Sequence, residues 1–121
     1  MLVIKSGASR VVILLNKYAI KVPRIDSWRL FLYGLLGNIH EKQWQNQICK
    51  YLCPILFYVP GGFLSIMPRC EVKAGLSAEF IKIVSKDLDT DISETILNIV
   101  EDKDDSVGIL NGKIVAIDYG S

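Results

Sequence analysis

The chain has 121 residues, of which 50% are hydrophobic and 22% are charged, so it is long enough for one globular domain with a core of its own. Its 14 lysines and arginines stand against 13 acidic residues, which gives a formal net charge of +1. Such a balance provides no field for a nucleic acid or an anionic membrane, and we expect neither as a partner.

Targeting signals are not evident along the chain. The longest apolar stretch, residues 30–36, is far shorter than the roughly 20 residues that cross a bilayer. Near the N-terminus, Lys5 and Arg10 interrupt the apolar residues too early for a secretory signal. We therefore expect a chain with neither a membrane span nor an export signal.

The three cysteines, Cys49, Cys53 and Cys70, are an odd number with no paired spacing. An oxidised scaffold of this size would carry more of them, so they indicate a reducing compartment, and we expect a cytoplasmic protein. Cys49 and Cys53 are spaced so that both could bind a metal from one helix, but His40 is the only histidine and no second pair exists. Packing in the core is the favoured interpretation of both thiols.

The first elements are predicted to be three short strands. Residues 2–4, 10–15 and 18–22 are rich in β-branched side chains. Turn-forming residues separate them at 6–9 and 16–17. The pattern predicts a three-stranded antiparallel meander.

A helical region follows Pro23, with Asp26 or Ser27 as its N-cap. Its apolar positions fall into two sets on roughly opposite sides of one helix, and we do not expect a single helix to bury both. The pattern therefore predicts two helices that meet near Gly37, the second with Asn38 as its N-cap. The first set is Trp28, Leu32, Leu35, Leu36 and Ile39, and the second is Trp44, Ile48 and Leu52.

The rest of the chain predicts two hairpins with helices between them. Strands are expected at residues 55–59, 63–67, 107–110 and 113–117, and helices at about 77–85 and 92–100. Asn111-Gly112 is the strongest short turn signal in the chain. We predict one α+β domain over residues 1–121, with an antiparallel sheet of about five strands, a long helical region, further helices and a short hairpin.

Three motifs stand in the order and spacing of a known family. Ala19-Ile20-Lys21 ends the third predicted strand, Glu41 follows on a helix, and Asp118-Tyr119-Gly120 follows the last strand. With the order of elements, these residues resemble the protein-kinase fold from its first strand to its D-F-G motif. The resemblance covers nearly all of this chain but only about half of a kinase, and it implies an N-terminal lobe and the start of a C-terminal lobe.

Lys21 and Glu41 can also be interpreted from their chemistry. A lysine inside an apolar strand needs a partner for its ammonium group, because burial without one would cost several kcal/mol. Glu41 shares a helix face with Trp44 and Ile48, so its carboxylate is predicted to face the sheet and pair with Lys21. The alternative is that Glu41 completes a capping box with Asn38.

The resemblance implies ATP and Mg²⁺ as cofactors. Lys21, Glu41 and Gly7 would bind the nucleotide, with Gly7 in the position of a glycine-rich loop, although a plain hairpin turn is the simpler interpretation of that segment. Asp118 and Ser106 would hold the metal ion. The alternative for Asp118 is an aspartate that favours a turn at a strand end.

The catalytic pattern of the family is incomplete here. The aspartate and asparagine of the catalytic loop correspond to Glu101 and Ser106, so Glu101 and Asp104 are the candidates for a base. The alternative is that this acidic run is a solvated loop. The sequence also stops at Ser121, before an activation segment and most of the helical lobe, and we expect no protein-kinase activity.

Two functions from different classes remain. The preferred hypothesis is a small, catalytically degenerate kinase-like module that binds a partner and regulates it, with or without nucleotide. The alternative is a small Mg-ATP-dependent phosphotransferase or ATPase with an unconventional base. A protein partner is expected in the first case, either another protein or a second copy of the chain. A third hypothesis is an unrelated small α+β domain, and ion pairing of Lys21 with Glu41 near Asp118 distinguishes it from the other two.

Overall fold

Runs of β-branched residues form the strands, and the polar and glycine-containing segments between them form the turns. A computed structural model of the chain describes residues 3–6, 9–48, 51–86, 90–100 and 102–119. In chain order, its elements are β1 (Val3–Ser6), β2 (Arg10–Leu14), β3 (Tyr18–Pro23), α1 (Trp28–Gln47), β4 (Phe57–Val59), β5 (Leu64–Pro68), α2 (Leu76–Ser85), α3 (Thr90–Ile99), β6 (Val107–Leu110) and β7 (Lys113–Ala116). A single 3₁₀ turn, Asp104–Ser106, precedes β6. The fold is α+β, as predicted.

The first five strands form one antiparallel sheet in the order β1-β2-β3-β5-β4. The meander from β1 to β3 is confirmed, and β5 pairs with the free edge of β3 so that Lys21 lies opposite Ser65. The β6–β7 hairpin forms a second sheet. Its turn places Asn111 at φ 52° and Gly112 at φ 81°, the two positive φ angles that a type I′ turn requires.

The hydrophobic core lies between the second hairpin and helices α2 and α3. Two isolated bridges attach the hairpin to the rest of the chain, one from Leu52 to Ala116 and one from Glu71 to Ile109. The buried apolar residues of this core are Leu52, Cys53, Met67, Leu76, Phe80, Val84, Ile96, Ile99, Val100, Val107, Ala116 and Tyr119. None of the helices in the described ranges combines the length and the apolar character that crossing a membrane requires.

The long helical region is a single helix, so the prediction of two helices meeting near Gly37 is wrong. Ser27 is the N-cap, as one of the two predicted alternatives, and its hydroxyl accepts a hydrogen bond from the Leu30 amide at 3.5 Å. Asn38 is buried within the helix and is not an N-cap, which also removes the capping-box interpretation of Glu41.

The helix stays continuous because the face that packs on the sheet is small and polar. This face consists of Gly34, Gly37, Asn38 and Glu41. A Cβ at Gly34 would lie only 2.5 Å from the Ser9 carbonyl oxygen, and one at Gly37 would lie 3.3 Å from Arg10 Nε. The two glycines therefore allow α1 to approach the sheet closely, and the helix does not need to break for its apolar residues to be accommodated.

The two apolar sets of α1 have different surroundings. Trp44 and Ile48 pack against the core. By contrast, Trp28, Leu32 and Leu36 are 74%, 42% and 45% exposed. These three residues are four positions apart, so they form one stripe on the helix surface, and this stripe lies roughly opposite the face that packs on the sheet. We refer to Trp28, Leu32 and Leu36 as the α1 apolar stripe.

Candidate functional site

Four charged side chains meet where the first sheet, α1 and the end of β7 come together. Lys21 is one of them, and it is 4% exposed in the middle of β3. Its ammonium group donates hydrogen bonds to both carboxylate oxygens of Glu41, at 2.9 and 3.1 Å, and to the backbone carbonyl of Ile117. The pairing of Lys21 with Glu41 that their chemistry predicted is therefore present, and it lies next to Asp118.

Glu41 is the centre of this group. Its side chain is completely buried, on the face of α1 that packs on the sheet. Besides Lys21, it accepts a hydrogen bond from the backbone amide of Tyr119 at 3.1 Å. Burial alone would raise the pKa of Glu41, but the positive charges of Lys21 and Arg10 outweigh burial and lower this pKa to about 2. The carboxylate is therefore ionised at any pH at which the protein would normally be studied.

Arg10, the first residue of β2, binds both acidic residues of the site. Its Nη1 and Nη2 atoms lie 2.9 and 3.0 Å from Glu41 Oε1 and Oε2, and Nη2 also donates to Asp118 Oδ1 at 2.8 Å. Burial opposes the charged form of the guanidinium, but Glu41 and Asp118 outweigh burial and raise its pKa. Planar, two-pronged pairing of this kind is specific to arginine. We refer to Arg10, Lys21, Glu41 and Asp118 as the charge cluster.

Arg10 is not among the residues that the sequence predicts for the site. The signal was nevertheless the same as for Lys21, since Arg10 begins an apolar β-branched run and its charge needs a partner once that strand packs. Gly37 makes room for it, because a Cβ there would lie 3.3 to 3.5 Å from three atoms of the Arg10 side chain. Three features therefore belong to one arrangement: the Arg10 side chain, which is 11% exposed, the small Gly37 on the facing helix, and the shared Glu41 carboxylate.

Asn38 ties the charge cluster to the backbone. Its side-chain oxygen accepts a hydrogen bond from Arg10 Nη1 at 3.1 Å. Its amide nitrogen donates to the carbonyls of Lys21, at 3.3 Å, and Gly62, at 2.9 Å. One completely buried side chain thus connects α1 to β3 and to the turn between β4 and β5, and this holds Arg10 in the orientation that reaches Glu41.

The two predicted metal ligands are brought together through their backbones. The carbonyl of Ser106 accepts hydrogen bonds from the amides of Ile117 and Asp118, at 2.9 and 3.2 Å. The Asp118 side chain is 46% exposed, and one of its oxygens is bound by Arg10. Within the described residues, no group of three or more histidine, cysteine, aspartate or glutamate side chains could hold a metal ion.

Of the two candidates for a catalytic base, Glu101 and Asp104, only Asp104 lies within the described residues. Glu101 lies outside the described residues, as does Gly7, which was predicted to contact a nucleotide. Asp104 is half-buried, and its two oxygens accept hydrogen bonds from the amides of Gly75 and Ser77, at 3.0 and 3.1 Å. These bonds lower the pKa of Asp104, so the residue is a weaker base and acts as a cap on the N-terminal end of α2.

Chemically, the charge cluster is balanced and internally bonded. Two cations, Arg10 and Lys21, are matched by two carboxylates, Glu41 and Asp118. The site can therefore hold β2, β3, α1 and the residues after β7 in one arrangement without any added ion.

No family model, no curated protein and no solved structure matches the chain.

Proposed function

We propose that the chain is a catalytically degenerate kinase-like module that acts by binding a protein partner. The α1 apolar stripe is the observation that carries this proposal. Large apolar side chains that share one exposed face of a helix are typical of interaction surfaces. Fully burying an exposed apolar side chain contributes about 1.5–3 kcal/mol. The three residues of the stripe are 42–74% exposed, so each would contribute part of that against a partner.

The neighbouring turn extends this surface. The Phe31 ring stacks against Trp28 with their centroids 5.7 Å apart, and it also contacts the Phe63 ring at 6.3 Å. Phe63 is itself 53% exposed. Aromatic residues held by neighbouring rings lose little freedom on binding, which favours their use as anchors in an interface.

The charge cluster supports the non-catalytic part of the proposal. In the kinase mechanism the equivalent of Asp118 holds Mg²⁺, and the equivalent of Lys21 contacts nucleotide phosphates. Here Asp118 is bound by Arg10, and Lys21 also donates to the Ile117 carbonyl. A divalent cation at Asp118 would lie against the Arg10 guanidinium and be repelled by it.

We propose a second copy of the chain as the partner. The stripe is uncharged, and a two-fold interface places the same patch of both copies in contact, so an apolar stripe is complementary to itself. Such an interface would cover the face of α1 that the chain leaves exposed.

Replacement of Leu36 by glutamate tests this interface, because burying an unpaired carboxylate in an apolar contact is costly. We expect the wild type to sediment as a dimer, and Leu36→Glu to weaken the dimer by tenfold or more, about 1.4 kcal/mol or more. Sedimentation velocity over a range of concentrations measures both. The matched control is Ile83→Glu on α2, where the side chain is 40% exposed, and this variant should associate as the wild type does. A monomeric wild type, or equal weakening by both substitutions, would contradict the proposed partner.

The alternative function is a small Mg-ATP-dependent phosphotransferase or ATPase. The observation in its favour is the Lys21–Glu41 pair at 2.9 Å, which is the arrangement that places a lysine on nucleotide phosphates in kinases.

Thermal unfolding with and without millimolar Mg-ATP tests whether the site binds nucleotide, as the alternative function requires. Because Arg10 is bound to Asp118, we expect no Mg²⁺-dependent rise in the unfolding midpoint of the wild type. A ligand at 100 times its Kd would add about 2.7 kcal/mol of stability, which this measurement detects readily. A rise that is lost in both Lys21→Ala and Asp118→Ala would show that the site binds Mg-ATP and would favour the alternative. Mg²⁺-dependent ATP turnover that Asp118→Ala abolishes would overturn the non-catalytic proposal.

A further inference from the structure

Two cysteines that are distant in the sequence lie side by side in the structure. Cys53 belongs to the segment between α1 and β4, and Cys70 follows β5. Their sulfur atoms are 3.6 Å apart, within the distance of a thiol hydrogen bond, and both cysteines are free. We propose that Cys53 and Cys70 form a reversible intramolecular disulfide when the protein meets hydrogen peroxide. This site is separate from the α1 apolar stripe and does not depend on the proposed function.

The backbone of Cys53 is firmly positioned. Its amide donates to the Ala116 carbonyl at 2.8 Å, and its own carbonyl accepts from the Tyr119 hydroxyl at 2.8 Å and from Gln45 Nε2 at 3.1 Å. The side chain is completely buried. Cys53 is therefore held in place while its neighbour approaches.

Cys70 occupies space that a glycine leaves open. A Cβ at Gly108 would lie 2.5 Å from Cys70 Cβ, so only glycine there permits Cys70 to sit beside the hairpin. Both thiols point toward the same acceptor, the Pro68 carbonyl, at 3.8 Å from Cys53 Sγ and 3.6 Å from Cys70 Sγ. The sulfur atoms must approach from 3.6 Å to the bonded distance of about 2.05 Å.

The two thiols differ in the way that a peroxide reaction requires. Cys70 is only partly buried, whereas Cys53 is enclosed. The hydrogen bond with Cys53 lowers the pKa of Cys70 against the effect of burial, and Lys21 lowers it further. The same hydrogen bond, together with burial, raises the pKa of Cys53. Cys70 is therefore the attacking thiolate, and Cys53 is the thiol that resolves the product.

The reaction balances with one peroxide molecule. The Cys70 thiolate attacks one peroxide oxygen, the O–O bond breaks, and hydroxide leaves and takes up the proton that Cys70 released, forming water. Cys70 is then a sulfenic acid. The Cys53 sulfur attacks the Cys70 sulfur, the S–S bond forms, and the sulfenic hydroxyl leaves as water with the Cys53 proton. The two thiols lose two electrons, and the peroxide is reduced to two molecules of water.

A disulfide that contains Cys49 is the competing outcome, because Cys49 lies close to Cys53 in the sequence. Cys49 itself is outside the described residues. The test treats reduced, folded protein with stoichiometric hydrogen peroxide, blocks the remaining thiols by alkylation, and maps the linked peptides by mass spectrometry. Before alkylation, we expect the intact mass to fall by two hydrogens. The peptide map should show a link between Cys53 and Cys70, and dithiothreitol should reverse it fully. Cys49→Ser is the matched control and should form the same link at the same rate, whereas Cys70→Ser should form none.

A second experiment tests whether the folded structure is what brings the Cys53 and Cys70 thiols together. In concentrated urea the thiols no longer face each other, so we expect the Cys53–Cys70 link to form at least about tenfold more slowly than in folded protein. Three results would overturn the proposal: a link that contains Cys49 in folded wild-type protein, overoxidation of Cys70 while Cys53 stays reduced, or an equal rate in urea. The peptide map of the wild type decides the matter even if Cys70→Ser does not fold.

Discussion

Replacement of Glu41 by glutamine is expected to lower the free energy of unfolding by about 3–5 kcal/mol, the usual cost of breaking a buried ion pair from one side. Glu41 is completely buried and is the shared acceptor of Arg10 and Lys21. A neutral amide at this position would leave the buried Lys21 and the largely buried Arg10 with Asp118 as the one remaining carboxylate of the charge cluster. Because small domains are stable by only about 5–15 kcal/mol, the loss is a large fraction of the total.

Urea denaturation, followed by circular dichroism, measures this effect. The matched control is Glu94→Gln, which makes the same chemical change at an exposed position in the middle of α3. That control should stay within about 0.5 kcal/mol of the wild type. If Glu41→Gln were as mild as the control, the charge cluster would not hold the sheet, the helix and the hairpin together.

The second large effect is a loss of stability in acid. Lys21 and Arg10 outweigh the effect of burial and lower the pKa of Glu41 from its ordinary value near 4.5 to about 2. A carboxyl group whose pKa is lower in the folded state stabilises that state above its unfolded pKa. The contribution disappears as the pH falls through the folded value. For a completely buried group, a shift of this size corresponds to about 3 kcal/mol.

We therefore expect the stability of the wild type to be level above about pH 5 and to fall between pH 4.5 and 2. Asp26 and Asp104 also have lowered pKa values, so the wild-type curve alone is not specific to Glu41. Subtracting the free energy of unfolding of Glu41→Gln from that of the wild type removes the contributions of Asp26 and Asp104, which both proteins share. This difference should shrink by about 3 kcal/mol across the window. A Glu41→Gln difference that is independent of pH would contradict the lowered pKa.

Much of the fold could be predicted from local patterns. Val107–Leu110 forms a strand with the predicted bounds, and Asn111-Gly112 makes the turn that its residues favour. The pairing of Lys21 with Glu41 could also be anticipated, because a lysine in an apolar strand needs an acidic partner and Glu41 was on a suitable helix face. In each case the chemistry of a short segment is sufficient, whereas nucleotide binding by these residues stays a prediction.

Other features depend on contacts that local patterns do not contain. The break predicted near Gly37 assumed that every apolar residue of α1 would be buried within the same chain. Periodicity shows which residues share a face, but it does not show whether anything covers that face. The neighbouring thiols of Cys53 and Cys70, and the pairing of Arg10 with Asp118, bring together residues that only the complete tertiary structure makes adjacent.

The link between Arg10 and Asp118 joins residues that are 108 positions apart, and this bears on the order of events during synthesis. Translation adds about 5–20 residues per second, so several seconds separate the emergence of the two partners from the ribosome. Lys21 and Glu41 can pair during that interval, because both belong to the first sheet and its helix. Arg10 gains Asp118 only after the second hairpin has emerged, so the charge cluster is completed after the first sheet and α1 have already been synthesised.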